Sequence, residues 1–326
     1  MKILLFGELG SGALARSFEP GLAEEAEVVA SDPYGSVDPE CGDGSHVRRL
    51  MRRVAFRARV EGAGATLLET VEQIRPDVVL VVKGRGIDAA AITRVRDLGV
   101  PVVIFYPDHP DWAQHHPQAV TDRLVACTLA VTWSERIAER LDVAGAHTRV
   151  LPFGFDDRWW VPTPPGGDRH GIVFLGTWSE RRERYLASLE GLPLRVAGTG
   201  WERATIRAEP PIREAEAGAL LAKAVIGVNL LHPQCAGAHN MRTREITATG
   251  ALQLTDPGTD GTPLRPPGSC AWFESVQEFR ALAEYYLAHP DEAAVIARKA
   301  QALTRDDTCM ERGRTLGRWL AELGPV

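Results

Sequence analysis

The 326-residue sequence lacks an excess of positive charge and is very poor in lysine. It carries 43 acidic residues against 37 basic ones, for a net charge of −6, and only Lys2, Lys83, Lys223 and Lys299 are lysines. A protein that grips nucleic acid carries a basic footprint, so nucleic acid is not expected as a partner. Cysteine is scarce too. Cys41, Cys127, Cys235, Cys270 and Cys309 are widely spaced and form no Cys-x-x-Cys pair. That spacing excludes a zinc ribbon and a disulfide framework and fits a reducing cytoplasm. Long hydrophobic runs are missing. No segment approaches the roughly 20 apolar residues that span a bilayer, and the run after Met1-Lys2 is too short for a signal peptide. A soluble, cytoplasmic chain with no integral membrane segment is expected.

What is present is ordinary for a globular protein: 44% hydrophobic and 25% charged residues, which excludes wholesale disorder. The length suits two domains. Short β-branched runs at Ile3–Gly7, Val28–Ala30, Val78–Val82, Val100–Tyr106 and Leu129–Thr132 alternate with helical patterns such as Asp88–Leu98 and Ser134–Leu141. That alternation predicts βαβ units and a doubly wound parallel sheet. The Pro- and Gly-rich stretch Pro162–Gly167 interrupts it. A second series follows, with strands at Ile172–Leu175, Leu194–Ala197, Val225–Leu230 and Ala251–Thr255. Helices are predicted over Val276–Ala288, Asp291–Leu303 and Cys309–Leu323. The expected organisation is an N-terminal Rossmann-like domain over 1–153, a connection over 154–170, and a second Rossmann-like domain over 171–326, with a cleft between the two. The last helices are expected to pack back toward the first domain.

Open α/β sheets bind ligands beyond the carboxyl ends of their strands, and the chemistry-bearing residues fall at those ends. Gly10, Ser11 and Gly12 lie in the loop after the first strand, where Glu8 also sits. The spacing Gly10, Gly12, Ala15 approximates the dinucleotide fingerprint, and Asp32 ends the second strand as a ribose-binding acid would. A plain strand–helix turn is the competing reading. Tyr106-Pro107-Asp108-His109-Pro110 follows another strand. Its prolines stiffen a loop that carries a carboxylate beside an imidazole, which are candidate general bases. The arginines of His46–Arg59 form a solvated helix face, a set of cations facing an anionic substrate, or a patch for an anionic lipid or nucleic acid.

In the second half, Gly176 and Thr177 precede a helix whose first turn holds Arg181 and Arg182. Cations there suit a docked anion, since a helix N-terminus by itself favours acids. Gly200 and Trp201 place an aromatic on a strand-end loop, either stacked on a base or packed in the core. The segment Asn240 to Ala251 reads as a helix ending at Gly250. Arg242, Arg244 and Glu245 lie on it, either as surface ion pairs or as arginines for phosphates with a carboxylate for ribose hydroxyls.

Taken together, Gly176–Arg182, Gly200-Trp201, Asn240-x-Arg242-x-x-Glu245 with Gly250-Ala251, and Leu254-Thr255-Asp256 resemble the C-terminal half of the CgeB-like (spore maturation protein) group of glycosyltransferases, with a group 1-type C-terminal domain. Pro152-Phe153-Gly154-Phe155-Asp156 resembles the turn that ends the first domain of many GT-B glycosyltransferases. The resemblance implies an α/β protein of the GT-B fold that takes a nucleotide-diphosphate sugar as co-substrate. It implies a small-molecule acceptor and no metal or other cofactor. Glu245 would hold the ribose, while Asn240, Arg242, Gly250 and Ala251 would hold diphosphate and sugar. Asp108 or His109 would face the acceptor. The first Glu of the family's pair would fall near Gly237 and is absent, which leaves inversion and retention open. Three other readings remain: a sugar-nucleotide epimerase or phosphorylase on the same fold, a non-catalytic nucleotide- or sugar-binding coat protein, and an NAD-dependent dehydrogenase.

Overall fold

The computed structural model describes residues 1–35, 46–112, 116–235, 239–257 and 268–323. Cys41 and Gly237 lie outside them. The chain divides into two units, one built from Met1–Pro152 with Cys309–Val326, the other from Phe153–Thr308.

Unit 1 alternates β1 (Lys2–Phe6), α1 (Leu14–Glu25), β2 (Glu27–Ser31), α2 (His46–Ile74), β3 (Val78–Val82), α3 (Ala89–Asp97), β4 (Val102–Phe105), α4 (Pro117–Ala126), β5 (Leu129–Thr132), α5 (Glu135–Val143) and β6 (Thr148–Val150). The six strands are all parallel, in the order β2-β1-β3-β4-β5-β6. Every residue of β3, β4 and β5 is buried, as continuous apolar runs covered on both faces require.

Unit 2 contains β7 (Ile172–Leu175), α6 (Glu180–Ala187), β8 (Leu194–Ala197), α7 (Glu214–Leu221), β9 (Ile226–Asn229), α8 (Met241–Ala248), β10 (Leu252–Thr255), β11 (Ala271–Trp272), α9 (Val276–Ala288) and α10 (Pro290–Thr304). Its sheet is parallel, in the order β11-β10-β9-β7-β8. One core cluster joins Phe174, Tyr185, Phe273 and Phe279 on one side of this sheet. A second joins Phe155, Trp160, Leu221 and Ile246.

Two boundaries differ from the sequence reading. The stretch 154–170 is no free connection. Phe155 and Trp160 are core residues of unit 2, and Gly154 lies so close to Thr308 that an added Cβ would meet its carbonyl oxygen at 2.8 Å. The last helix, α11 (Cys309–Ala321), groups with unit 1 rather than unit 2. Gly21 of α1 and Gly313 of α11 explain its attachment: a Cβ on Gly21 would stand 2.0 Å from the Met310 carbonyl oxygen, and one on Gly313 2.3 Å from that of Phe18. Two helices that close leave room only for hydrogen at those positions. The return of the last helix to the first domain agrees with the expectation from the sequence; the glycines that seat it are a weak signal and were not singled out.

Each sheet reverses its winding once. From β1 the chain goes outward to β2 and then back past β1 to β3. From β7 it goes to β8 and then back past β7 to β9. The carboxyl ends on either side of such a reversal leave a crevice, the usual ligand position in this architecture.

Candidate functional site

In unit 2 the reversal lies between the ends of β7 and β9, and Arg182 spans it. The Arg182 side chain donates to the Thr177 carbonyl (2.7 Å), just past β7, and from Nε and Nη2 to the Leu230 carbonyl (3.2 and 2.9 Å), just past β9. Ser179 caps α6 by accepting from the Arg182 backbone N–H. Burial pushes the guanidinium pKa down, but arginine stays protonated in proteins. Among the described residues its hydrogen bonds go to neutral carbonyls and no carboxylate forms an ion pair with it.

The neighbouring arginines are committed differently. Arg181 pairs with Asp256, at the end of β10, through both carboxylate oxygens. Asp256 also accepts from the Leu231 backbone N–H at 2.7 Å, so it fixes the loop after β9. Arg244 is buried and bonds Asp307 at 2.9 Å. The side chain expected to face phosphate is thus a structural partner of the segment before α11. Arg242 lies 5.0 Å above the Trp160 ring and 2.8 Å from the Glu245 carboxylate.

Glu245 is buried. Burial raises its pKa, and the nearby Asp156 carboxylate adds to that, against the lowering effect of Arg242. Asn240 caps α8 by accepting from Thr243 N–H and exchanges amide hydrogen bonds with Asn229 at the end of β9 (3.1 and 3.2 Å). Asn229 also donates to the Thr243 hydroxyl, which meets His239 Nδ1 at 2.9 Å. Burial, helped by the Arg244 charge, brings the His239 pKa down to about 4. These contacts set the first turn of α8 against the end of β9. Asn229, His239 and Asp256 were not among the site residues read from the sequence. The signal was available in Asn229 and Asp256, polar residues closing two buried apolar strands.

Trp201 does not offer a stacking surface. Its ring is buried beside Phe174, with centroids 6.0 Å apart, and its indole N–H donates to the Gly176 carbonyl at 2.9 Å. Its polar tip is satisfied and its body sits in the core. Gly200 lies on the exposed loop with a positive φ of 81°. Gly250 ends α8 at φ 75°, and a Cβ there would sit 2.3 Å from the Thr163 carbonyl oxygen. Ala251 is buried in the second core cluster.

In unit 1 the reversal lies between β1 and β3. Here the Glu8 carboxylate, past β1, meets Arg85, past β3, at 3.4 Å. Next to them Lys83 Nζ lies 2.7 Å from Asp108, past β4. Lys83 has a positive φ of 66°, followed by Gly84 at 65°. A non-glycine residue held there is strained, a cost concentrated at functional loops. Lys83 is one of four lysines and was not singled out from the sequence.

Tyr106 is buried and its hydroxyl pKa is raised to about 12, by burial first and then by Asp108. Arg123 lies 5.5 Å over its ring. His109 accepts the Asp111 backbone N–H on Nδ1 at 3.2 Å. In neutral imidazole the proton then sits on Nε2, and burial favours that neutral form. Gly10, Ser11 and Gly12 form an open turn. Ala13 N–H donates to the Gly10 carbonyl, and a Cβ at Gly10 would meet nothing within 4 Å. Asp32 is used locally, accepting from Leu9 and Tyr34 backbone N–H groups. That removes the acid on which the dinucleotide reading relied.

Residues 181–317 match a protein-family model described as Glycosyl transferase-like. No curated protein matches the chain. Solved structures match along nearly its whole length. Sucrose-phosphate synthase from Thermosynechococcus elongatus is 10% identical with a TM-score of 0.69, covering 99% of each chain. The HepE protein of Anabaena in complex with UDP-glucose is 13% identical with a TM-score of 0.67, again over 99% of each. A UDP-forming α,α-trehalose-phosphate synthase from Burkholderia xenovorans, in complex with glucose-6-phosphate, is 11% identical with a TM-score of 0.68, over 98% of this chain and 100% of that one. These likenesses show the GT-B fold, and the family match marks residues 181–317 as a glycosyl transferase-like domain.

Proposed function

We propose that this chain transfers a sugar from a nucleoside-diphosphate donor, held on unit 2, to a small-molecule acceptor. The observation that carries the reading is the glycosyl transferase-like match over 181–317, which begins at the two arginines of the β7/β9 reversal. The UDP-glucose complex of the similar Anabaena protein supports a UDP-hexose as the first donor to try. The CgeB-like resemblance of the Asn240–Ala251 segment supports the same placement. The diphosphate lies against the first turns of α6 and α8, with Arg182 as its principal cation. Gly176 and Thr177 give the backbone approach, and Glu245, held by Arg242, is the carboxylate nearest the ribose. Arginine here supplies the charge that a divalent ion supplies elsewhere, so transfer should persist in chelator.

On unit 1, Asp108 is the general base for the acceptor hydroxyl, oriented by Lys83. His109 is the weaker candidate, because the hydrogen bond to its Nδ1 places the proton on Nε2. Asp108 takes the hydroxyl proton as the oxygen attacks the anomeric carbon and the diphosphate leaves with the bonding pair. The buried thiols of Cys127, Cys235, Cys270 and Cys309 support a reducing, cytoplasmic setting.

The test is to incubate the full chain with UDP-glucose and a panel of hydroxylated acceptors, with and without chelator, and to resolve the products. New glycoside plus UDP is expected, together with slow UDP release from donor alone. An epimerised sugar nucleotide from donor alone would point instead to the epimerase reading.

A further inference from the structure

The loop after β3, residues 83–87, is gripped by two buried side chains, and one of them carries a charge that the function proposed above does not use. Tyr34 donates its hydroxyl to the Arg85 carbonyl at 2.8 Å. Arg123, on α4, donates from Nη1 to the carbonyls of both Gly84 and Ile87, the second at 3.1 Å. Tyr34 and Arg123 are only 2 and 7% exposed. Three carbonyls of this short loop thus end on buried side-chain donors. The backbone between them is left-handed at Lys83, Gly84 and Gly86, with φ of 66°, 65° and 71°. Glycine enters that region freely, but lysine is strained there. Such strain persists only where the surroundings over-determine the backbone.

Arg123 is an expensive residue to place under a loop. Burying a cation costs free energy unless it is paired. Among the described residues no carboxylate pairs with Arg123, and its Nε has no hydrogen-bond partner. The Tyr106 ring, 5.5 Å from the guanidinium carbon, offsets part of that cost. An apolar side chain of similar size would fill the space without it. What the guanidinium adds is a hold on two carbonyls at once. The same loop sends its own side chains to the carboxylates of the neighbouring strand ends. Lys83 Nζ lies 2.7 Å from Asp108, and Arg85 lies 3.4 Å from Glu8. A continuous line of contact therefore runs from Arg123 through the loop backbone to Lys83 and on to Asp108.

We propose that Arg123 is a positioning residue for the transfer reaction. By holding residues 83–87 in their left-handed backbone it sets the Lys83 ammonium against Asp108, and so orients the carboxylate that takes the acceptor proton. The inference rests on the assignment of Asp108 as general base above. Arg123 acts through the loop and Lys83 rather than on the acceptor itself.

The experiment compares the full-length wild type with Arg123→Met, Arg123→Lys, Lys83→Met and the Arg123→Met/Lys83→Met double variant. Each is assayed for transfer from UDP-glucose, for UDP binding and for amide hydrogen exchange without substrate. Arg123→Met should lower kcat by about 10-fold to 10²-fold, the scale of a small misplacement of a reacting group, with the dissociation constant for UDP unchanged. Arg123→Lys, which keeps a charged donor on a long stem, should recover most of that loss. In the Lys83→Met background the same change should add almost nothing, because both act on Asp108 along one path. The amides of Lys83, Gly84 and Ile87, which donate to the Phe105, Val82 and Gly84 carbonyls, should exchange about tenfold faster in Arg123→Met. Should that variant not fold, Arg123→Gln, shorter and uncharged, takes its place with an expected loss of about fivefold. A folded variant that keeps the wild-type kcat, unchanged exchange at the three amides, or a full further loss on top of Lys83→Met overturns this inference and leaves the proposed function standing. A wild type that forms no glycoside from any UDP-sugar overturns the functional reading, and this inference with it.

Discussion

The two sheet reversals are built alike and charged differently. In unit 1 the accessible cations near the β1/β3 reversal are held by carboxylates, Arg85 by Glu8 and Lys83 by Asp108, while Arg123, which donates to the Gly84 and Ile87 carbonyls, is buried. In unit 2 the residue that bridges the β7/β9 reversal, Arg182, is held by two carbonyl oxygens instead. Among the described residues, the accessible cations of one edge are ion-paired, while on the other Arg182 is partly exposed and bonded only to carbonyls. On the proposed function, the Asp108 carboxylate suits unit 1 for a neutral hydroxylated acceptor, and the partly exposed Arg182 guanidinium suits unit 2 for an anion.

The largest test of this comparison is structural. Arg244 is read as a framework residue, so Arg244→Ala should break its buried bond to Asp307 and cost about 3–5 kcal/mol of stability, measured by chemical denaturation. If the variant folded with full stability and lost only nucleotide affinity, Arg244 would return to the binding site. Next, Asp108→Asn should lower kcat by about 10²–10⁴ while the dissociation constant for UDP stays unchanged. A matching loss of UDP affinity would erase the proposed division of labour between the units. Lys83→Met should shift the same kinetic parameter less and move the pH profile of kcat.

Acid should weaken the protein through His239. Its folded pKa of about 4 lies below the unfolded value near 6.5. The neutral form is favoured in the fold, so stability present above pH 6.5 is lost as pH falls toward 4. The loss attributable to this group is about 3 kcal/mol, and His239→Gln should remove most of it from a pH series of unfolding curves. Glu245 works in the opposite sense. Its raised folded pKa means that its contribution falls as pH rises above about 4.5, so Glu245→Gln should gain on wild type as pH increases. The smallest effect concerns Trp201. Trp201→Phe should cost about 1 kcal/mol of stability for the lost hydrogen bond to Gly176 and leave UDP affinity as it was.

Much of the fold was legible because buried parallel strands announce themselves as β-branched runs. Val78–Val82, Leu129–Thr132, Ile172–Leu175 and Leu194–Ala197 coincide with β3, β5, β7 and β8. The short edge strands β6 and β11 carry little pattern of their own. In the site, Arg181, Arg182, Asn240, Arg242 and Glu245 were legible as residue types at strand ends and helix starts. Their partners were not. Asp256 for Arg181, Asp307 for Arg244, and the Leu230 carbonyl for Arg182 lie 48 to 75 positions away, and only the folded chain brings them together. Partner identity is what separates a free cation from a spent one.

The central claim is that the carbonyl-bonded guanidinium of Arg182 makes unit 2 a nucleoside-diphosphate site. Thermal unfolding with UDP and UDP-glucose, on wild type and on Arg182→Gln, tests it most directly. Wild type should gain about 2.7 kcal/mol at a hundredfold excess over the dissociation constant. The variant, folded but with its guanidinium gone, should bind about 100-fold more weakly, as loss of a charge-assisted contact to phosphate implies. A wild-type protein that neither nucleotide stabilises, or a variant that binds UDP as tightly as wild type, would contradict the account.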